Sequence, residues 1–295
     1  MLSRRSHTGL LAHSRAVAAA LALMATAAVT GVSPSVASAV PSSATGAAAP
    51  YRLTDLEMVR ESGTVAPYEA KIAHCPPGKQ PLGGGFELPI EHTVSASYPI
   101  ADTGWLVKAR STTGSPAPFE MTWYAMCATP SPGYRIVKKT EVIRNGEGVW
   151  HTCSVDNYPY EYMVNVGGEA KGSTAALTAS NMWINHSSTI TSANASGVRT
   201  DADTVEVDVY AICATAYDGS TGWYNQGWSS HSVNEGPLYA CPAGQRSIGI
   251  TFTASAALRS SNPHTISESD WRITALHPRD STYTISGGIV CAPRP

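Results

Sequence analysis

The sequence predicts an all-β fold of three pseudo-repeated antiparallel sheets arranged like a β-prism, and three observations predict it. Six cysteines alternate between wide and narrow gaps, short runs of residues alternate apolar with polar, and Gly, Pro and Asn clusters separate those runs. No segment beyond the first forty residues sustains a helical period.

The chain opens with a basic stretch carrying Arg4, Arg5 and Arg15 and no acid, followed by an apolar, Ala-rich run over 16–32 and the small-residue triplet Ala37-Ser38-Ala39. This pattern reads as a signal peptide over 1–39, with the cut after Ala39 and a flexible linker over 40–58. The expected product is secreted and extracellular. No later apolar run approaches the roughly 18 residues that span a bilayer, so no membrane span is expected. Loss of three arginines and no acid leaves 17 basic against 22 acidic residues, a net charge of −5 that argues against nucleic acid as a partner.

The cysteines stand at 75, 127, 153, 213, 241 and 291, separated by 52, 26, 60, 28 and 50 residues. The alternation divides the chain into three repeats, over 59–130, 131–216 and 217–295. The closing cysteines lie in similar surroundings, Tyr124-Ala125-Met126-Cys127-Ala128, Tyr210-Ala211-Ile212-Cys213-Ala214 and Gly288-Ile289-Val290-Cys291-Ala292. Two opening cysteines begin Cys-Pro-x-Gly, at Cys75 and Cys241, and repeats one and three share Tyr98-Pro99 then Gly104-Trp105 with Asn262-Pro263 then Asp270-Trp271. Self-similarity at about 80 residues rests on these anchors. The middle repeat diverges, running from Cys153 into Tyr158, Tyr160 and Tyr162 without Cys-Pro-x-Gly.

Repeat symmetry selects the pairing Cys75–Cys127, Cys153–Cys213 and Cys241–Cys291 from the 15 connectivities open to six cysteines. Each bridge would close a loop of 50 to 60 residues, worth on the order of 4 kcal/mol of chain entropy. No Cys-x-x-Cys pair occurs and the histidines are scattered, so neither zinc nor any other cofactor is expected.

Strands with one wet face follow from Thr204-Val205-Glu206-Val207-Asp208-Val209-Tyr210 and from Trp105-Leu106-Val107-Lys108-Ala109-Arg110. Cys-Pro-x-Gly ends one strand in a tight turn, because Pro cannot continue a central ladder and Gly accepts positive φ. The Tyr-Ala-x-Cys-Ala strand then returns beside it. Three sheets of about four strands would pack as a prism with few exposed edges. Three tandem small β-sandwiches are the alternative.

These motifs resemble a family of secreted actinobacterial repeat proteins with modules Cys-Pro-Ala-Gly-Lys, Gly-Gly-Gly, Gly-Trp and Tyr-Ala-x-Cys-Ala, over roughly residues 60–295. The pattern of cysteine-bounded sheets also resembles the vitelline membrane outer layer protein, a β-prism. The first resemblance implies no catalytic residue, and the second implies carbohydrate binding by analogy of fold.

No Gly-x-Ser-x-Gly elbow, His-Glu-x-x-His helix or phosphate loop is present, and the reading leans away from an enzyme. Asp201, Asp203, Glu206 and Asp208 are the one carboxylate cluster open to a hydrolase role, although Glu206 and Asp208 read as a solvated sheet face. His74 and His151 read as strand residues. Thirteen Tyr and seven Trp against three Phe favour polar ligands. The densest aromatic and amide segment is Trp223, Tyr224, Asn225, Gln226 and Trp228, in a Gly-rich stretch between repeats. Tyr158, Tyr160, Tyr162 and Trp183 form a second candidate surface. The expected function is lectin-like recognition of a glycan or cell-wall polymer, with a protein partner, as for an inhibitor or envelope component, as the other reading.

Overall fold

A computed structural model describes residues 55–101, 103–153, 161–184, 191–215, 222–232, 236–255, 257–263, 270–276 and 282–293. The leader, most of the linker, Tyr158 and Tyr160 lie outside the described residues. Eighteen strands and no helix occur among those described.

Repeat one supplies β1 (Glu57–Val65), β2 (Ala70–His74), β3 (Gln80–Glu87), β4 (His92–Ile100), β5 (Gly104–Ser111) and β6 (Phe119–Ala128). Repeat two supplies β7 (Arg135–Arg144), β8 (Gly148–Thr152), β9 (Glu161–Lys171), β10 (Ala175–Ile184), β11 (Thr191–Arg199) and β12 (Thr204–Thr215). Repeat three supplies β13 (Gly222–Ser232), β14 (Leu238–Ala240), β15 (Gln245–Ala254), β16 (Ala257–Pro263), β17 (Asp270–Leu276) and β18 (Thr282–Pro293). The first strand begins at Glu57, inside the span assigned to the linker.

The strands form three six-stranded antiparallel sheets. Sheet I runs β1-β6-β3-β16-β17-β14, sheet II runs β2-β5-β4-β9-β12-β7, and sheet III runs β13-β18-β15-β10-β11-β8. Each sheet therefore joins the first, sixth and third strands of one repeat to the fourth, fifth and second strands of another. The order cycles through the repeats, which gives the prism its pseudo-threefold character. Two expectations change. The sheets have six strands rather than about four, and no repeat pairs only with itself, unlike three self-contained sandwiches. The reason is burial: a half-repeat of three strands leaves an unpaired edge, which the neighbouring repeat covers.

The three bridges form as inferred, with Cα–Cα distances of 5.6, 5.7 and 5.8 Å. Cys75 follows a strand of sheet II and Cys127 lies in sheet I. Cys153 follows a strand of sheet III and Cys213 lies in sheet II, while Cys241 follows a strand of sheet I and Cys291 lies in sheet III. Each disulfide thus links two sheets, and the three together close the ring.

Repetition extends to the irregularities. A bulge beside each closing cysteine shifts the register at Pro81/Gly83, at Met163/Asn165 and at Ser247/Gly249. A second shifts it at Val94/Ala96, Leu177/Ala179 and Leu258/Ser260. The turn after Cys-Pro-x-Gly also recurs, with Gly78 and Gly244 both at φ 82° and bonds from Lys79 N to Pro76 O and Gln245 N to Pro242 O, each 3.0 Å.

At the first bulge the repeats differ. Asn165 stands where repeats one and three carry Gly83 and Gly249, and it is buried. Its Nδ2 donates to the carbonyls of Leu82 at 3.0 Å and Ile248 at 3.5 Å, the bulged residues of the other two repeats. A Cβ on Gly249 would lie 1.9 Å from that Nδ2, and one on Gly83 would lie 2.1 Å from the Ile248 oxygen. One amide and two glycines therefore fill a site that three equal side chains could not share. Leu82, Phe86, Leu177, Val207, Ile248, Trp271 and Ile285 belong to one continuous core drawn from all three repeats.

Candidate functional site

Along β12, Val205, Val207, Val209 and Ala211 are buried in the core, so Glu206, Asp208 and Tyr210 take the opposite face of sheet II. Register places Lys138, Tyr210 and Gly167 in one row, and Thr140, Asp208, Glu169, Ala96 and Lys108 in the next. The Tyr98 and Tyr210 rings stack across Gly167, with centroids 4.2 Å apart and planes 3° from parallel. The stack needs that glycine, because a Cβ there would lie 2.6 Å from the Tyr98 Cα.

Asp208 corrects the expectation of a solvated face, since its side chain has no solvent exposure. It accepts a bond from Thr140 Oγ1 at 2.7 Å and meets Lys138 Nζ at 2.6 Å and Lys171 Nζ at 3.1 Å. Lys171 also holds Glu206 at 2.6 Å, and Lys108 holds Glu169 at 2.6 Å. Burial pushes the Asp208 pKa up, but the bonds from Lys138, Thr140 and Lys171 outweigh it and hold the carboxyl below its ordinary range. Burial raises both phenols, with Glu169 adding to the rise at Tyr98 and Tyr98 adding to it at Tyr210.

Asp201 stands apart, held at about 2 first by Arg199, at 2.9 and 3.0 Å, and then by Thr174. The Asp203 carbonyl accepts the Asn145 amide at 3.0 Å. The four acids thus do not act as one cluster: Asp201 belongs to Arg199 and Thr174, while Glu206 and Asp208 on the sheet II face share Lys171.

Sheet III differs in chemistry. Register puts Trp150 opposite Asn194, Asn194 opposite Asn181, and Thr251 opposite Gly288, which faces Asn225. The pair Ser180↔Phe252 brings Asn181 level with Thr251, so these positions form one row across the sheet. Trp150 is 50% exposed on the edge strand β8. Asn194 Nδ2 donates to the Val149 carbonyl at 3.4 Å and Asn181 Nδ2 to Thr253 Oγ1 at 3.2 Å, which leaves Asn181 Oδ1 without a hydrogen-bond partner.

The sequence-derived residues fall into this frame unevenly. Trp223, Tyr224, Asn225, Gln226 and Trp228 belong to β13, an edge strand of sheet III rather than an inter-repeat loop. Trp183 lies on β10 of the same sheet, two residues from Asn181, as Trp223 lies two from Asn225. Period two gives these positions one face of the backbone. Tyr162 lies on β9 of sheet II, opposite Ala214, so Trp183 shares a sheet with the β13 residues and not with Tyr162. His74 and His151 stand on β2 and β8.

Sequence reasoning missed Trp150, Asn181 and Asn194. A signal existed for the first, because Gly148-Val149-Trp150-His151-Thr152 alternates and ends beside Cys153. Nothing in the sequence aligns the two asparagines with it.

The described residues also form a cavity of about 280 Å³ on sheet I, lined by Ser62, Glu87, Leu88, Pro89, Glu120, Met121 and Thr122. No protein-family model matches the chain, and no relative is found among curated proteins.

Proposed function

We propose that the protein is a secreted, non-enzymatic, lectin-like recognition protein that binds a glycan or cell-surface polymer on sheet III. The observation that carries this reading is the row from the half-exposed Trp150 through Asn194 and Asn181 toward Asn225, flanked in register by Trp183 and Trp223. Sugars present apolar C–H faces that stack on indoles, and hydroxyls that amides satisfy as donor and acceptor together. Three disulfides suit an oxidising compartment, and the leader-like opening of the chain agrees with export.

The test is a panel of neutral glycans and cell-wall polysaccharides titrated against the oxidised protein while tryptophan fluorescence is followed. A saturable shift that is lost in Trp150→Ala and in Trp223→Ala/Trp228→Ala, with the fold retained by circular dichroism, supports the site. A silent panel overturns the glycan reading, and binding unchanged in both variants overturns the site.

A further inference from the structure

We propose that repeat three opens from the rest of the molecule as one disulfide-closed unit, and that its docking completes sheets I and III. Three seams join the repeats, and each is a short stretch of ladder. Ala96↔Glu169 and Ser97↔Gly168 join repeats one and two, Ala179↔Thr253 and Ser180↔Phe252 join two and three, and Ser260↔Glu87 and Ser261↔Phe86 join three and one. Each disulfide lies within one repeat, so no bridge crosses a seam. The seams share this backbone plan and differ in the side chains that flank it.

The first seam is clasped. Across it Lys108 meets Glu169 at 2.6 Å, Arg110 Nε donates to the Ala175 carbonyl at 2.8 Å and its Nη2 to the Thr174 carbonyl, and the Tyr98 and Tyr210 rings stack. The Tyr68 hydroxyl donates to the Ser173 carbonyl from a left-handed backbone, φ 67°. Register gives the counterpart of each group at the second seam. Ser196 and Thr253 replace Lys108 and Glu169, Val198 replaces Arg110, and Asn181 and Gly288 replace the two tyrosines. Gly146 replaces Tyr68: its N–H donates to the Gly197 carbonyl at 3.0 Å, as that of Tyr68 does to Ala109 at 2.8 Å, and its φ is 84°. A left-handed position suits glycine, yet repeat one keeps a tyrosine there, and its hydroxyl crosses the seam. The second seam carries neutral bonds instead, from Asn181 Nδ2 to Thr253 Oγ1 at 3.2 Å and from Asn165 Nδ2 to the Ile248 carbonyl at 3.5 Å. At the third, Thr274 takes the place of Lys108, and Arg246 Nη1 donates to the Leu56 carbonyl at 2.8 Å.

Freeing any one repeat from a ring of three breaks two seams. Freeing repeat three alone leaves the clasped seam intact, so this is the opening of lowest cost, and folds open locally by their least costly route. The third seam also lacks a covalent link, because the chain runs from repeat one to two and from two to three. Cys241–Cys291 ties the sheet I and sheet III strands of repeat three to each other, so the repeat leaves as a unit. Sheet II stays whole in that opening. Sheet III divides: Trp150, Asn194 and Asn181 remain with repeat two, while Thr251 and Gly288 leave with repeat three. A surface on sheet III is thus made and unmade by one motion, and sheet II is permanent.

The experiment is amide hydrogen exchange, read by mass spectrometry on the oxidised full chain in dilute urea. Peptides from β15 and β18 should exchange together, at least about tenfold faster than those from β4, β5, β9 and β12, the strands of the clasped pair. Equal protection in all three repeats, or least protection in repeat one or two, overturns the proposal. Ser196→Lys/Thr253→Glu transplants the ion pair of the first seam into the second. It should slow exchange in β15 and β18 by about fivefold, the scale of one half-buried ion pair, and leave β4 and β5 unchanged. Tyr68→Gly/Lys108→Ser does the converse, giving the first seam two residues of the second, and covers the case where the transplant does not fold. It should speed exchange in β4 and β5 toward that of β15, although glycine relieves the left-handed backbone at 68. A folded variant of either kind that leaves these rates unmoved overturns the assignment of the opening to the seams.

Discussion

Sheets II and III share a strand plan and differ at almost every position of one face. Where sheet II sets Lys138, Tyr210, Gly167 and Tyr98 in a row, sheet III sets Asn225, Gly288, Thr251 and Asn181. Sheet II is saturated from within: three lysines meet three carboxylates, and two tyrosines stack on each other. Sheet III keeps an exposed indole on its edge strand and a buried amide oxygen without a hydrogen-bond partner. The pseudo-threefold repeats the backbone, and the chemistry lies in where the side chains break it. A charged network that satisfies itself has little to offer a ligand, whereas a half-exposed indole on a sheet edge leaves an apolar face open.

Several substitutions would break or sharpen this comparison. The largest effect belongs to the frame that both faces depend on. Cys153→Ala/Cys213→Ala releases the link between the two sheets and should cost on the order of 4 kcal/mol, read as a loss of roughly 8–16 °C in Tm by calorimetry. Next comes the glycine beneath the tyrosine stack. Gly167→Ala drives a Cβ into the backbone of β4 and should cost up to about 3 kcal/mol in urea unfolding, with the stack disturbed in the near-ultraviolet dichroism. Its counterpart Thr251→Ala removes only a hydroxyl bonded to the Gly288 carbonyl at 3.2 Å and should cost about 1 kcal/mol. Equal costs for the two would show that the sheets do not differ in the way described.

Asp208→Asn should cost about 2 kcal/mol at neutral pH, because a buried charge-assisted network loses its centre. The pH dependence has a definite sign. The folded pKa of Asp208 is depressed, so its contribution is full above the carboxyl pKa of the unfolded chain, near 3.9, and is lost as pH falls through the lower folded value. Urea midpoints of the parent and Asp208→Asn should therefore converge only in strong acid. The smallest effect on stability is Trp150→Ala, expected within about 0.5 kcal/mol for an exposed edge residue. The same change should remove the proposed glycan binding, so a loss of stability without a loss of binding would overturn the assignment of Trp150 to a binding face.

Much of the scaffold was legible in the chain. Tyr-Ala-x-Cys-Ala and Cys-Pro-x-Gly marked strand ends and turns, since Pro and Gly restrict the backbone whatever surrounds them. The alternation around Glu206 and Asp208 assigned both to one face. It could not tell that Lys138 from β7 and Lys171 from β9 would close over Asp208 and exclude water. Those lysines are 70 and 37 residues away in sequence, and neighbours across a ladder carry no local pattern. The candidate site was legible in part. Trp223, Asn225 and Trp183 were singled out for their chemistry, while Trp150 and Asn181 gained meaning only through pairing.

Residue type and spacing settled what each short segment does alone: which runs are strands, where they turn, and which cysteines are partners by repetition. These are local matters, governed by backbone sterics and side-chain period. The exchange of half-repeats between sheets, the seating of Asn165 against two glycines, and the meeting of Trp150 with the row toward β13 were decided by tertiary packing. Each depends on residues far apart in the chain competing for one buried volume or one open edge, and that competition has no counterpart in the order of the residues.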